Sequence, residues 1–163
     1  MTPAQYARLS APFRPEKRRR ALLAANRVLT YGCYAAYPLL LAALAVQRDG
    51  HFWRALLVPG ISFVLLSLVR QLINAPRPYE ALDIAPLIHK DTHGKSLPSR
   101  HVFSMFVIAM TFLWLLPPVG ILLLICGAAL AAVRVIGGVH YPRDVIVGAA
   151  VGVLAGIIGF WVI

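Results

Sequence analysis

Residues 134–144 read Arg-Val-Ile-Gly-Gly-Val-His-Tyr-Pro-Arg-Asp and join two long apolar segments. Arg134, His140 and Asp144 are ionisable side chains at the ends of apolar segments, where such groups are unfavourable unless they have a function. Pro142 suits the first turn of a helix, which puts Asp144 in that turn and His140 just before it. A carboxylate beside an imidazole fixes the tautomer and leaves the other ring nitrogen free as a nucleophile or base. The stretch therefore indicates a reactive site, with a helix cap and a structural histidine as the alternative.

The composition indicates an integral membrane protein. Of the 163 residues, 60% are hydrophobic, and the mean hydropathy of +0.74 is too high for a soluble fold of this length. The net charge of +10 comes from basic residues at the N-terminus and at the ends of apolar segments, without a pattern of interleaved aromatic and basic residues. We therefore predict binding to anionic lipid or phosphate, and no nucleic-acid partner. Cys33 and Cys126 are predicted to be buried thiols rather than a disulfide or a metal pair.

Five apolar segments predict five membrane-spanning helices. They cover residues 24–46, 53–74, 101–116, 119–136 and 145–163. Each is close to or above the roughly 17 to 20 residues that cross the hydrocarbon core. Residues 1–23 are basic and are predicted to form an interfacial arm, with a disordered tail as the alternative. The predicted fold is an all-α membrane bundle of five transmembrane helices, with residues 24–163 as the transmembrane domain.

Counting the crossings sorts the polar residues onto two membrane faces. The N-terminus, the loop 75–98 and the junction before Pro142 share one face, and the Pro117-Pro118 turn and the C-terminus share the other. The first face collects nearly all reactive side chains: Arg70, Arg77, Ser99, Arg100, His101, Arg134, His140 and Asp144. Hydropathy alone therefore predicts that three distant segments meet.

Two features of this face indicate an anion site. Arg70 and Arg77 lie two helical turns apart on one side of a helix, and guanidinium groups match phosphate oxygens. Contact of both arginines with lipid headgroups is the alternative. Pro98 precedes a helix that Ser99 can cap, and the free amides at a helix start attract anions. His101 would stand beside any anion bound there.

These residues resemble the three-part signature of the type 2 phosphatidic acid phosphatase (PAP2) superfamily. The parts are Arg70-X6-Arg77-Pro78, Pro98-Ser99-Arg100-His101 and Arg134-X5-His140-X3-Asp144. Three positions depart from the usual pattern, because Arg70 replaces a lysine, Arg100 a glycine and Val133 a serine. We expect Arg100 to add a phosphate ligand rather than to crowd the pocket. Members of similar size are small bacterial phosphatases of undecaprenyl diphosphate.

The resemblance implies a lipid phosphatase that works without metal or other cofactor. His140 would attack phosphorus and form a phosphohistidine, and Asp144 would orient it. His101 would protonate the leaving oxygen and then activate water. The residues expected to bind phosphate are Arg70, Arg77, Ser99, Arg100 and Arg134.

The expected partners are membrane lipids and a lipid phosphate or prenyl diphosphate substrate. Undecaprenyl diphosphate, converted to undecaprenyl phosphate, is the first choice. Phosphatidate and phosphatidylglycerophosphate are alternatives. A non-catalytic protein that binds lipid phosphates, inactive because of Arg100 and Val133, is an alternative of another class.

The loop 75–98 offers a different chemistry. His89, Asp91 and His93 lie close together, with Glu80 and Asp83 nearby, and could form a metal site. No further ligand pattern supports such a site, and the arginines already supply positive charge. We expect the loop to form a lid or a substrate-contacting rim instead.

Two rules disagree about which membrane face holds the site. The basic cluster Lys17 to Arg20 lies on the site's side, and an excess of basic residues marks the cytoplasmic face. The resemblance instead implies the outer leaflet of a bacterial cytoplasmic membrane. We place the site on the outer face.

Overall fold

A computed structural model describes all 163 residues, and every regular element in it is helical. The elements are α1 (Pro3–Ser10), a 3₁₀ turn (Ala11–Phe13), α2 (Glu16–Val46), α3 (Phe52–Ile73), α4 (Pro78–Ala81), α5 (Arg100–Leu115), α6 (Pro117–Ile136) and α7 (Pro142–Ile157), which continues as a π turn (Ile158–Val162). The prediction of an all-α fold is confirmed.

Each of the five predicted apolar segments forms a helix. Four of these helices, α2, α3, α6 and α7, are long and apolar enough to cross a membrane. The chain is therefore a multi-pass membrane protein. The fifth helix, α5, has 16 residues, just short of the roughly 17 needed, so a fifth crossing stays a prediction. Helix α2 already begins at Glu16, so the predicted boundary between residues 23 and 24 lies inside a helix, and the interfacial position of the first residues also stays a prediction.

Helix α5 lies at the centre of the bundle. It packs against α6 and α7 along most of its length and also contacts α2 and α3. Ten of its 16 residues are buried, whereas α3 and α6 expose many large apolar side chains. The outer helices therefore provide the lipid-facing surface, and protein surrounds the helix that begins with Arg100 and His101.

Small residues let α7 approach α5 closely. A Cβ atom at Gly148 would lie 2.7 Å from the Ser99 carbonyl oxygen, and one at Gly152 would lie 2.8 Å from the Phe103 carbonyl oxygen. Such close backbone approach is typical of glycines at helix interfaces in membranes. It also lets the Ser99 N–H donate to the Asp144 carbonyl oxygen over 2.8 Å. The first turns of α5 and α7 are thereby fixed to each other.

The N-terminal helix α1 holds the long loop that precedes α5. Tyr6 is buried, and its hydroxyl accepts from the Leu87 N–H over 3.2 Å and donates to the Ala85 carbonyl oxygen over 3.3 Å. Its ring lies against Gly138, where φ is +77° and a Cβ atom would approach the Tyr6 hydroxyl to 2.9 Å. Helix α1 therefore packs on both the loop and the bend before α7.

Candidate active site

The three signature segments meet at one end of the bundle. Arg70 lies in the last turn of α3, Arg134 in the last turn of α6, and His140 and Asp144 flank the start of α7. The expectation that Arg70 and Arg77 share one helix is wrong, because α3 ends at Ile73 with a left-handed cap at Asn74 and Arg77 is extended just before α4. All five side chains are buried, each at most 6% exposed. The structure thus brings together the residues that span counting places on one face.

His140 is held through one ring nitrogen by two partners. Its Nδ1 lies 3.5 Å from the Ser96 hydroxyl and 3.6 Å from Asp144 Oδ2. Ser96 in turn donates to Asp144 Oδ2 over 2.5 Å. Because Nδ1 faces these acceptors it carries the hydrogen, which leaves the lone pair on Nε2. Burial lowers the pKa of His140 to about 4, so the ring is neutral at pH 7.

Asp144 combines two roles that the sequence leaves as alternatives. Its Oδ2 accepts from the Tyr141 N–H over 3.0 Å, which caps α7. The same oxygen accepts from Ser96, which contacts His140. The carboxylate is therefore both a helix cap and part of the support of His140.

Three buried guanidinium groups lie here without a carboxylate partner. Arg77 donates to the carbonyl oxygens of Gly94 (3.0 Å) and Val139 (3.3 Å), and Arg70 donates to that of Lys95. No ion pair in the structure includes Arg70, Arg77 or Arg134. The Nε atoms of Arg70 and Arg134 have no hydrogen-bond partner. Buried charges are normally paired, so this arrangement suits an anion with several oxygens.

His101 borders the arginine cluster at the start of α5. Arg134 Nη2 lies 3.4 Å from its Nδ1. A guanidinium can only donate, so Nδ1 is the acceptor, and Nε2 carries the hydrogen in the neutral ring. His101 is half-buried, unlike His140.

Two other predicted phosphate ligands are placed differently. The Ser99 amide is already bonded to Asp144, but its buried hydroxyl has no partner. Arg100 is exposed, and its guanidinium carbon lies 5.6 Å from the centre of the Phe63 ring. Val133 packs against an apolar cluster that includes Leu87. Ser99 is therefore buried with an unpartnered hydroxyl, whereas Arg100 is exposed and lies beside Phe63.

Sequence reasoning missed three polar residues of this region. Asn26 on α2 accepts from Arg134 Nη1 over 3.2 Å, and Ser96 bridges His140 and Asp144. Lys90 reaches a cavity beside Arg134 from the loop, and burial, reinforced by the neighbouring arginines, lowers its pKa to about 8. Ser96 stands just before the Pro98-Ser99 motif, which was a usable signal, whereas no pattern marks Asn26 or Lys90.

Two cavities of about 430 Å³ each meet at His101. The first, termed the basic cavity, is lined by Arg19, Leu23, Asn26, Arg27, Thr30, Tyr31, Leu87, Ile88, His89, Lys90, His101 and Arg134. The second, termed the aromatic groove, is lined by Tyr34, Tyr37, Leu56, Pro59, Gly60, Phe63, Arg100, His101, Ser104, Val107 and Ile108. A molecule beside His101 can therefore extend into polar or into apolar surroundings.

The loop histidines do not assemble a ligand set. No three His, Cys, Asp or Glu side chains lie together in a way that could hold a metal ion, and this includes His89, Asp91 and His93. Glu80 contacts His93 over 3.1 Å and accepts from the N–H groups of Arg77 and Gly94. Glu80 therefore shapes the loop, and the expected absence of a metal cofactor stays a prediction.

Comparison with known proteins places this geometry in a family. Residues 51–163 match the PAP2 superfamily. Over 105 residues the chain is 29% identical to the bacitracin transport permease protein BcrC of Bacillus licheniformis, covering 62% of this chain and 52% of that protein. The chain thus spans about half the length of this relative.

Two solved structures share the fold. LpxE of Aquifex aeolicus aligns with a TM-score of 0.74 and 25% identity, covering 96% of this chain and 92% of that one. A transmembrane PAP2-type phosphatidylglycerolphosphate phosphatase of Bacillus subtilis aligns with a TM-score of 0.56 and 23% identity, covering 96% and 90%. The family match covers most of the chain and includes every signature segment, so the chain belongs to the PAP2 superfamily.

Proposed function

We propose that the protein hydrolyses a lipid phosphate through a phosphohistidine on His140, without a metal. The observation that carries the proposal is the pairing of a neutral, oriented His140 with three buried guanidinium groups that lack a carboxylate. The arginines supply the positive charge that phosphoryl transfer needs, and His140 supplies the nucleophile. A protein that only binds lipid phosphate would not require the support from Ser96 and Asp144.

The reaction begins with the phosphoryl group bound to Arg70, Arg77 and Arg134. Nε2 of His140 attacks phosphorus, an N–P bond forms, and the P–O bond to the lipid breaks. The leaving oxygen takes a proton from His101. This ring is neutral beside Arg134 in the free protein, so it must gain that proton when the substrate binds, and the negative charge of the phosphate favours the imidazolium form. Ser96 and Asp144 stabilise the positive ring of the phosphohistidine through its Nδ1–H.

The second step releases phosphate. His101 has lost its proton to the leaving oxygen, so it removes one from a water molecule, and that oxygen attacks phosphorus. The N–P bond breaks, inorganic phosphate leaves, and His140 returns to its neutral form. One water is consumed, and both histidines regain their starting protonation.

Undecaprenyl diphosphate is the proposed first substrate, with phosphatidylglycerophosphate and phosphatidate as alternatives. The aromatic groove beside His101 supports a lipid substrate, because it offers an apolar surface for the chain next to the proposed proton donor. Arg100 lies on Phe63 and Val133 packs in an apolar cluster.

A trapping experiment tests the covalent step. With an aryl phosphate labelled with ³²P, which has a good leaving group, His101→Ala should accumulate acid-labile label, because the phosphoenzyme forms but is not hydrolysed. Peptide mapping should locate the label at His140. The variant His140→Ala should take up none. Label that persists in His140→Ala would rule out this nucleophile.

We further propose that the site faces outward from the cytoplasmic membrane of a bacterium. His89 lies exposed in the loop beside the site, so His89→Cys reports the side of this loop. An impermeant maleimide added to intact cells should label it, whereas Arg48→Cys in the opposite turn should react only after lysis. The reverse pattern would place the site in the cytoplasm.

A further inference from the structure

The basic cavity contains more positive charge than transfer of a single phosphate requires. Arg19 and Arg27 from α2 and Lys90 from the loop line it in addition to Arg134. None of its lining residues is an aspartate or a glutamate. Arg19 has one distant partner, Glu16 at 3.7 Å, and Arg27 forms no ion pair. The cavity thus collects cations from two separate parts of the chain and leaves them largely uncompensated.

Helix α2 arranges these residues as one continuous stripe. Arg19, Asn26 and Thr30 recur at helical spacing and line the basic cavity. The same stripe continues through Tyr34 and Tyr37, which line the aromatic groove. One face of a single helix therefore changes from basic to aromatic where His101 of α5 approaches it. A substrate lying along this face would place charge at one end and an apolar chain at the other.

Unsatisfied donors face this cavity next to the arginine cluster. Thr30 is 8% exposed, lines the cavity, and its hydroxyl has no hydrogen-bond partner. Asn26 connects the two regions, because it accepts from Arg134 while its sequence neighbour Arg27 lines the cavity. Burial and nearby arginines lower the pKa of Lys90 to about 8, so a bound anion would favour its charged form. The cavity therefore offers a hydroxyl and several cationic donors close to the bound phosphoryl group.

We propose that the basic cavity is a second anion subsite, which binds a phosphate that stays on the leaving group. The inference rests on the proposed function. His101 lines the basic cavity, so this cavity lies beside the leaving group only if His101 is the residue that protonates the leaving oxygen. It predicts a substrate class with two phosphates in one headgroup, either a lipid diphosphate or a lipid phosphodiester that bears a terminal phosphate. Phosphatidate, whose leaving group is uncharged, would leave the subsite empty.

The kinetic test compares two substrates in neutral detergent micelles, a prenyl diphosphate and phosphatidate. Arg27→Gln should lower kcat/KM for the diphosphate by roughly tenfold, mainly through KM, as expected for one lost charge-assisted contact. The rate with phosphatidate should change by less than about twofold. Arg20→Gln is the matched control, because Arg20 lies on the same helix and bonds only to Glu16, outside the cavity. It should leave both substrates unchanged.

A second readout does not depend on turnover. Protein with His140→Ala, which cannot cleave the ligand, should bind inorganic diphosphate roughly tenfold more tightly than inorganic phosphate by calorimetry in neutral detergent, and adding Arg27→Gln should remove that difference. Equal losses on both substrates, or a preference for diphosphate that survives Arg27→Gln, would overturn the subsite. If phosphatidylglycerol in the micelles competes with inorganic diphosphate and this competition needs Arg27, the cavity binds bilayer headgroups and the inference is wrong. If the wild-type protein does not hydrolyse lipid phosphates although diphosphate still binds, the proposed function is wrong and the subsite is not.

Discussion

His140 and His101 border the same site in opposite surroundings. His140 is 1% exposed, and its Nδ1 faces Ser96 and Asp144. His101 is half-buried, touches Arg134 and lines both cavities. A nucleophile needs one orientation towards one phosphorus atom, whereas a proton carrier must serve first a leaving group and then water. The difference in burial thus matches the difference in the chemistry proposed for each ring.

The largest effect should separate the two histidines. His140→Ala should lower kcat by about four orders of magnitude or more for lipid and aryl phosphates alike, because nothing replaces the nucleophile. His101→Ala should lower the lipid rate by about 10² to 10⁴. It should slow the first step much less with an aryl phosphate, whose leaving group needs no proton. Stopped-flow measurement of aryl alcohol release gives this step. Equal losses on both substrates in both variants would remove the distinction between the two rings.

An intermediate effect should come from the support of His140. Ser96→Ala should lower kcat by roughly tenfold with little change in KM, because the hydroxyl contacts His140 and Asp144 but not the proposed phosphate ligands. Steady-state kinetics of the purified variant measures both constants. Ser67→Ala, which removes a hydroxyl bonded within α3, is the control and should behave as wild type. A change confined to KM would mean that Ser96 acts on substrate binding instead.

The smallest effect should come from Arg100→Gly, which restores the residue usual in the family. Its guanidinium lies on Phe63 in the aromatic groove, so kcat for a soluble aryl phosphate should change by less than about threefold. Arg134→Gln should lower the same rate by about 10² or more. Measuring both variants on one substrate decides whether Arg100 belongs with the buried ligands. A loss comparable to that of Arg134→Gln would support the expectation, made from the sequence, that Arg100 binds the transferred phosphate.

Helix ends explain what could be predicted from the sequence. The positions of Arg70, Arg134 and Asp144 follow from where the apolar segments end. Each membrane crossing changes the face of the membrane, so the face on which the next polar residue lies is known. The direction of the Arg100 side chain depends instead on Phe63 in another helix. Hydropathy also cannot show that α5 is enclosed by protein, because an enclosed helix and a lipid-facing helix are equally apolar.

The residues that the sequence analysis missed make contacts between distant parts of the chain. Asn26 contacts Arg134 across 108 positions of the chain, and Ser96 contacts Asp144 across 48. Each contact depends on how helices or loops pack, which a local pattern does not encode. Lys90 lies in a loop where it has no periodic neighbours at all. The set of residues at the candidate site was thus predictable, and the residues that surround it from α2 and the loop were not.

The Tyr6 hydroxyl joins the first helix to a loop about 80 residues later in the chain. The other residue that the Tyr6 ring packs against, Gly138, lies still later in the chain. During synthesis α1 therefore has only part of its contact surface, the loop, until the end of α6 has left the ribosome. Closing so long a segment costs entropy that only the finished loop and bend can offset. Helix α1 is thus completely fixed only by residues made much later than itself, and the loop that carries Lys90 gains its final support at that stage.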